Sequence, residues 1–532
     1  MAIPPKIYTF LCACFAAMGA MLYGYDLGVI SYVIVAPNFL TTIDTTDDDY
    51  IGFIVSSMLL GAFAGSIPAS LIADRFSRRM AITVAGGVFI LGGILQTATQ
   101  DKETMFAGRF FAGIGIGMLG VLAPLYQSEI AHPSKRGMLT ATFQFFLGIG
   151  AIVAGWIAYG VQQTHPNDPI AWRLPLAFQM LPAVPLLLLS FLLPESPRWL
   201  MIKGREEDAL HTLARLHARG NHNDAFVLGE WHSMKQKVGE EAQTDQSWGL
   251  IFKDRTNLRK VLYGIILQFS VQMTGVSAIQ YYAATVYKSV GFSQSTSLLI
   301  NSLNNINALF GELACILLVD KVGRRFPLIA GNMLAGTCFA IATALAKQFA
   351  EGGGNRGQGI GFVSVLFIYN FAFSACIGPL SWVYPVEIFN TAVRGKATAL
   401  TCMAAWISNF MIGQVSPKAW SNIGWKYYLV FTVCGFTNAL TFYILFPETK
   451  GRTLEEMDRY FRETHWFVPG AKVPSLSSTD REVQLAQGEY GSPTKGLAVD
   501  QSTEGVSQEH GLPSDDTEKG LKGGEYHHRE AI

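Results

Sequence analysis

Asp74-Arg75-Phe76-Ser77-Arg78-Arg79 closes one long apolar run, and Asp320-Lys321-Val322-Gly323-Arg324-Arg325 closes another far down the chain. Working outward, the two neighbourhoods repeat. Glu129-Ile130 with Arg136-Gly137 returns as Glu387-Ile388 with Arg394-Gly395. Pro194-Glu195-Ser196-Pro197-Arg198 returns as Pro447-Glu448-Thr449-Lys450-Gly451-Arg452. Three matched pairs in the same order describe two homologous halves, each built of apolar runs with short charged punctuation.

The runs are long enough to cross a bilayer, which takes ~20 apolar residues for ~30 Å of hydrocarbon. The sequence predicts helices over 7–33, 50–73, 80–99, 104–128, 139–161 and 171–193, then over 261–288, 296–319, 326–349, 358–385, 397–417 and 426–446. The fold class is therefore all-α and polytopic, with twelve transmembrane helices in two pseudo-symmetric six-helix bundles. The predicted divisions are 1–193 for the first bundle, 194–260 for a polar helical linker, 261–446 for the second bundle and 447–532 for a tail. Beyond about residue 468 the tail is rich in Ser, Gly, Glu and Thr, a composition that favours disorder.

Composition agrees. Of 532 residues, 50% are hydrophobic and only 15% charged, against about 25% charged in soluble domains. That deficit excludes a soluble enzyme. Net charge is zero, so no nucleic-acid partner is expected. The seven cysteines all lie in apolar runs without paired spacing, so neither a disulfide frame nor a metal site is expected. The first run is too long for the apolar core of a signal peptide and reads as a membrane helix.

Basic residues set the expected orientation. Arg75, Arg78, Arg79, Lys135, Arg136, Arg324, Arg325, Arg394 and Lys396 fall in loops on one side of a twelve-helix chain. The first loop on the other side carries Asp44, Asp47, Asp48 and Asp49. The positive-inside rule then places both termini in the cytosol.

Two charges stand alone in apolar helices. Asp26 in helix 1 and Arg109 in helix 4 both fall in the outer half of their spans, counting about 1.5 Å per residue. A carboxylate at that depth costs several kcal/mol unless paired or protonated. An Asp26–Arg109 pair is expected, either as a fixed salt bridge between helices or as a working proton site. Glu312 in helix 8 lies about two turns from Asp320 and is expected to snorkel or to pair with a loop arginine.

Several motifs occur together: Gly24-Tyr25-Asp26, the Asp-Arg-x-x-Arg-Arg loop, Gly108-Arg109, Pro124-Leu125-Tyr126 through Glu129, Pro194-Glu195-Ser196-Pro197-Arg198-Trp199-Leu200, Gly378-Pro379-x-x-Trp382 and Pro447-Glu448-Thr449-Lys450-Gly451. In this order, from about Gly19 to Asp458, the chain resembles the sugar porter family of the major facilitator superfamily, in the style of fungal hexose transporters. The resemblance implies a transporter and no cofactor. It also implies a sugar-like solute and a proton as ligands, a bilayer as surroundings (most naturally the plasma membrane) and a monomer as the working unit. It implies proton coupling by Asp26 with Arg109. Solute binding is implied for Gln144, Gln272, Ser277, Trp382 and Asn409, with Tyr23 and Leu27 facing them from helix 1. Gln268 and Gln280 share helix 7 as further candidates. Gating is implied for Tyr281 and Tyr282, and for the charged ends Arg75, Arg79, Glu129, Arg136 and Glu195 against Arg324, Glu387, Arg394 and Glu448.

The chain also departs from the family pattern. Val271 stands where helix 7 usually has the first of two glutamines, Ser277 where it has asparagine, and Ala405 precedes Trp406 where asparagine is common. Ser77 and Ser70 replace glycines of the loop motif and are expected to be tolerated. Hydroxyl recognition needs amide and hydroxyl side chains, so these departures bear on the solute. A proton-coupled hexose importer is the leading expectation. A facilitator, a sugar sensor and a porter of a polyol, disaccharide or quinate-like metabolite remain alternatives.

Overall fold

The computed structural model describes residues 4–469 apart from 46, 133–135, 243–247, 391–392, 451 and 453. The tail beyond 469, for which disorder is expected, lies outside the described residues.

Among the described residues twelve helical spans follow one another. Helices 1–5 are Pro5–Val33, Asp48–Arg75, Arg78–Ala98, Lys102–Ile130 and Arg136–Thr164. Helix 6 runs over Ile170–Leu192 in pieces, interrupted where Pro182 supplies no backbone donor. Helix 7 comprises Arg255–Gln272 and Val276–Ser289, helix 8 Gln294–Val322 and helix 9 Arg325–Ala350. Helix 10 comprises Arg356–Cys376 and Gly378–Ile388, helix 11 Arg394–Ile423 and helix 12 Tyr427–Leu445. The apolar stretch Arg394–Leu445 is continuous over 52 residues. That is about 78 Å of helix, more than two bilayer cores. Gly424, at φ +55°, turns the chain between helices 11 and 12.

Two breaks position the site. Helix 7 stops at Met273–Gly275 because Gly275 takes φ +87°, a conformation open to glycine. Helix 10 stops at Ile377, and Pro379 starts its second piece. Both breaks fall inside the apolar spans Arg255–Ser289 and Arg356–Ile388, and within a bilayer irregular backbone survives only when protein or a cavity covers it.

Packing inside the first half is backbone-close. Helices 1 and 5 approach so tightly that a Cβ on Gly24 would lie 1.8 Å from the Leu147 carbonyl oxygen. Small residues at such crossings replace the hydrophobic drive that lipid does not supply.

The loop after helix 2 departs from expectation only in mechanism. Ser77, standing where glycine is usual, has φ −176° and accepts a bond from the Met80 amide at 3.0 Å. It is therefore the N-cap of helix 3. The linker forms short helices at Pro197–Ile202, Glu206–His217, Ala225–Ala242 and Gly249–Lys253. They dock on the first half: Trp199 Nε1 donates to the Asp74 carbonyl at 3.3 Å, and Thr9 Oγ1 to that of Leu216 at 2.8 Å. The end of the described chain is structured as well. Leu454–Glu463 is helical, and Asp458 pairs with Lys260 at 2.6 Å.

Candidate functional site

Helices 1 and 4 bring Asp26 and Arg109 together. Arg109 Nη1 donates to Asp26 Oδ1 at 3.1 Å and Nη2 to Oδ2 at 3.2 Å. Nη2 also donates to the Val55 carbonyl on helix 2 at 3.2 Å. Both side chains are fully buried. This bidentate pair, the strongest geometry available to the two groups, ties three helices of the first half at one point.

Tyr23 lies one turn before Asp26 and therefore on the same face. Its hydroxyl accepts from Asn409 Nδ2 of helix 11 at 3.3 Å, and its ring meets Trp406 edge-on with centroids 5.0 Å apart. Leu27 is buried beside them. Around this cluster Asn409 Oδ1 and Trp406 Nε1 are buried with no hydrogen-bond partner among the described residues, and the Tyr281 hydroxyl lies beside Tyr23 and Asn409. Unsatisfied buried groups each cost about 1–3 kcal/mol. Asn409 and Trp406 sit where the halves meet, against Tyr23 of helix 1.

The remaining predicted residues make contacts of their own. Gln272 is held by Ser277, whose Oγ donates to Gln272 Oε1 at 2.6 Å, leaving the Nε2 group without a bond among the described residues. Gln144 on helix 5 donates through Nε2 to Glu312 Oε1 at 3.3 Å. The half-buried Trp382, on the second piece of helix 10, packs against Phe143 with ring centroids 5.0 Å apart. Gln268 is used structurally, donating to the Ser381 carbonyl at 2.9 Å. Tyr282 donates to the Gly413 carbonyl at 2.6 Å, and its helix is locally distorted at that residue. Glu312 differs from expectation. It is buried, pairs with no arginine among the described residues and faces Gln144 across the halves. Phe143, Trp406 and Glu312 are contributors that the motifs do not single out. For Trp406 the altered Ala405-Trp406 pair is the available signal.

The opposite ends of the halves are joined. Away from the arginine-rich face, Asn301 Nδ2 donates to Ser31 Oγ at 3.1 Å, Tyr32 bonds Ser302 at 2.6 Å and Lys418 pairs with Asp49 at 2.8 Å. Gln163 reaches Ser295 at 2.7 Å, and Ser56 reaches Gln414 at 2.8 Å. These contacts join the two halves on that side.

On the arginine-rich face the pseudo-symmetry extends to single bonds. Arg78 pairs with Glu129 at 3.1 Å, with Asp74 at 3.1 Å, and caps the Ala73 carbonyl at 2.8 Å. Arg324 does the same with Glu387 at 2.7 Å, Asp320 at 3.0 Å and the Val319 carbonyl at 3.0 Å. Tyr126 donates to the Pro194 carbonyl, and Tyr384 to that of Pro447. Arg79 pairs with Glu195 at 3.1 Å. Glu448 accepts backbone amides of Arg324 and Arg325. Arg394 caps the Phe389 carbonyl. Arg75 stands apart from these pairs. It is exposed and makes no ion pair among the described residues, and Arg78 holds the position facing Glu129. The side chain of Arg136 lies outside the described residues. The ion pairs of Arg78, Arg79 and Arg324 all stay within one half.

This geometry agrees with comparison to known proteins. Residues 12–461 match the family model described as sugar (and other) transporter. The chain belongs to that family. It is a multi-pass membrane transporter and not an enzyme. The transporter is 30% identical to high-affinity glucose transporter 1 of Candida albicans, over 86% of this chain and 87% of that one. It is 29% identical to the arabinose-proton symporter of Bacillus subtilis, over 85% and 95%. Among solved structures, it superposes on the proton:xylose symporter XylE bound to 6-bromo-6-deoxy-D-glucose with a TM-score of 0.75. That match has 27% identity and covers 85% of this chain and 99% of that one. The shared fold is the major facilitator fold.

Proposed function

We propose that this protein imports a monosaccharide, a hexose foremost, together with a proton, by alternating access across the plasma membrane. The arginine-rich face and both termini are then cytosolic, as the positive-inside rule requires. The observation that carries the reading is the fully buried Asp26–Arg109 pair one turn from Tyr23, which reaches Asn409 in the other half. A proton arriving at Asp26 cancels its charge and removes the anion that Arg109 grips. Helix 1 is then free to shift, and Tyr23 transmits that shift to the ligand side of helix 11. The sugar assignment draws support from the amides of Gln144, Gln272 and Asn409, which offer neutral donors and acceptors to hydroxyls beside the Trp382 ring. The glucose and arabinose-proton carriers among the relatives point the same way.

The test is uptake of a panel of labelled sugars, polyols and organic acids in cells lacking their own carriers, with external pH recorded. Concentrative sugar uptake with alkalinisation of the medium is expected. Uptake that never exceeds the external concentration would make the protein a facilitator, and absence of any sugar competition at millimolar levels would sink the sugar assignment.

A further inference from the structure

We propose that Glu312 is a positioning residue. It fixes the side-chain amide of Gln144 so that the carbonyl oxygen, and not the NH2 group, is turned to the bound solute. This rests on the reading of Gln144 as a sugar contact.

The seam between helices 5 and 8 joins the halves in one register. Asn305 Nδ2 donates to the Ala151 carbonyl at 3.2 Å, and the Ser302 hydroxyl lies 3.4 Å from the Gly155 carbonyl oxygen. Two turns further along helix 8, that register delivers Glu312 to Gln144. Helix 5 makes room for the carboxyl group. Gly148 follows Gln144 by one turn, and a Cβ there would lie 2.1 Å from Glu312 Oε2. Any side chain at position 148 would evict Glu312 from its place.

An amide is two-faced, and its network decides which end points where. As placed, Glu312 meets Gln144 as an acceptor alone, for its Oε1 takes the Nε2 hydrogen and its Oε2 bonds no group among the described residues. By receiving Nε2 at 3.3 Å, Glu312 leaves the Gln144 Oε1 atom unbonded as an acceptor. Across the interface Ser277 does the reverse. It occupies Gln272 Oε1 and leaves Nε2 as a donor. The two glutamines are thus polarised oppositely. Gln144 demands a hydroxyl hydrogen from the ligand, and Gln272 offers one. A residue that only filled space would not set this polarity.

The test uses competition by monodeoxy and matched deoxyfluoro analogues of the transported sugar against wild type, Glu312→Gln, Glu312→Leu and Gln144→Ala. The position read by Gln144 is the one whose deoxy penalty disappears in Gln144→Ala. In wild type, both the deoxy and the fluoro analogue at that position should compete about tenfold more weakly than the parent sugar, since a fluorine cannot donate. In the Glu312 variants the amide is free to turn its NH2 to the ligand. The fluoro analogue should then gain about threefold or more over the deoxy analogue, at that position alone. Glu312→Gln keeps the volume and hydrogen bonding, so it reports even if the leucine variant fails to fold. A fluoro-to-deoxy ratio identical in wild type and variants overturns the positioning role while leaving sugar transport intact. Failure of every sugar to compete with wild type overturns the sugar reading and this inference with it.

Discussion

The guanidinium of Arg109 holds the carboxylate of Asp26 through two parallel hydrogen bonds of 3.1 and 3.2 Å, with neither side chain exposed. Removing one partner of such a pair leaves a lone buried charge and costs about 3–5 kcal/mol. Asp26→Asn is gentler than Arg109→Ala, because it imitates the protonated acid and keeps its shape. Asp26→Asn should abolish accumulation against a gradient but retain exchange of labelled for unlabelled solute across the membrane. Arg109→Ala should lower both exchange and the yield of folded protein. Counterflow in membrane vesicles, beside uptake with and without an uncoupler, separates the two. Concentrative uptake by Asp26→Asn would remove Asp26 from the coupling role.

The arginine-rich loop offers a sharper contrast. Arg78 is buried against Glu129, whereas Arg75, three residues earlier, is exposed. Arg78→Ala should strand Glu129 and destabilise the first half by about 3 kcal/mol or more. Arg75→Ala should change stability by no more than about 0.5 kcal/mol. Thermal unfolding of the two purified variants in detergent tests this directly. Equal losses would mean that the pairing at this loop is not the one described.

These two cases show what the sequence discloses and what it withholds. Asp26 and Arg109 are legible because each is the lone charge of an apolar helix, so the cost of isolation implies the partner. The twelve spans and the two halves are legible for the same kind of reason, hydrophobic length and matched loop motifs. Arg75 and Arg78 sit in one loop with the same charge, and composition cannot rank them. The ranking comes from Ser77, which caps helix 3 and sets Arg78 at its first position beside Glu129. Glu312 is hidden further still. Its partner Gln144 is 168 residues away, and only the register of helices 5 and 8 brings them together. The Leu454–Glu463 helix falls in what reads as tail because it is short and polar, yet Asp458 finds the buried Lys260.

The linker carries a pH-dependent element. His217 is packed against His132 and Phe226, with ring centroids at 5.8 and 5.7 Å. Burial, and then the neighbouring His132, push its pKa down to about 4. In the unfolded chain it titrates near 6.5. Above that value both states are neutral and no term arises. As pH falls from about 6.5 towards about 4, the unfolded state takes up a proton that the native state refuses, and stability is lost. His217→Phe keeps the packing and removes this contribution. Melting temperatures of wild type and His217→Phe should therefore diverge between about pH 7.5 and pH 5, with the variant less acid-sensitive. Parallel pH profiles would show that His217 does not titrate in the docked linker.

The seam between the halves away from the arginine-rich face is the remaining element open to direct test. Ser31 on helix 1 and Asn301 on helix 8 meet at 3.1 Å across the two halves. Alternating access requires this contact to break each time the site opens outward. Cysteines placed at both positions and oxidised should hold the outer side shut and stop uptake by about tenfold or more, and a reductant should restore it. The single Ser31→Cys and Asn301→Cys variants, given the same oxidant, should keep their activity, which separates cross-linking from damage to the seven native cysteines. A cross-linked protein that still transports at the uncross-linked rate would show that helices 1 and 8 do not part during the cycle. The outer gate would then have to lie elsewhere along the interface, at Tyr281 and Tyr282.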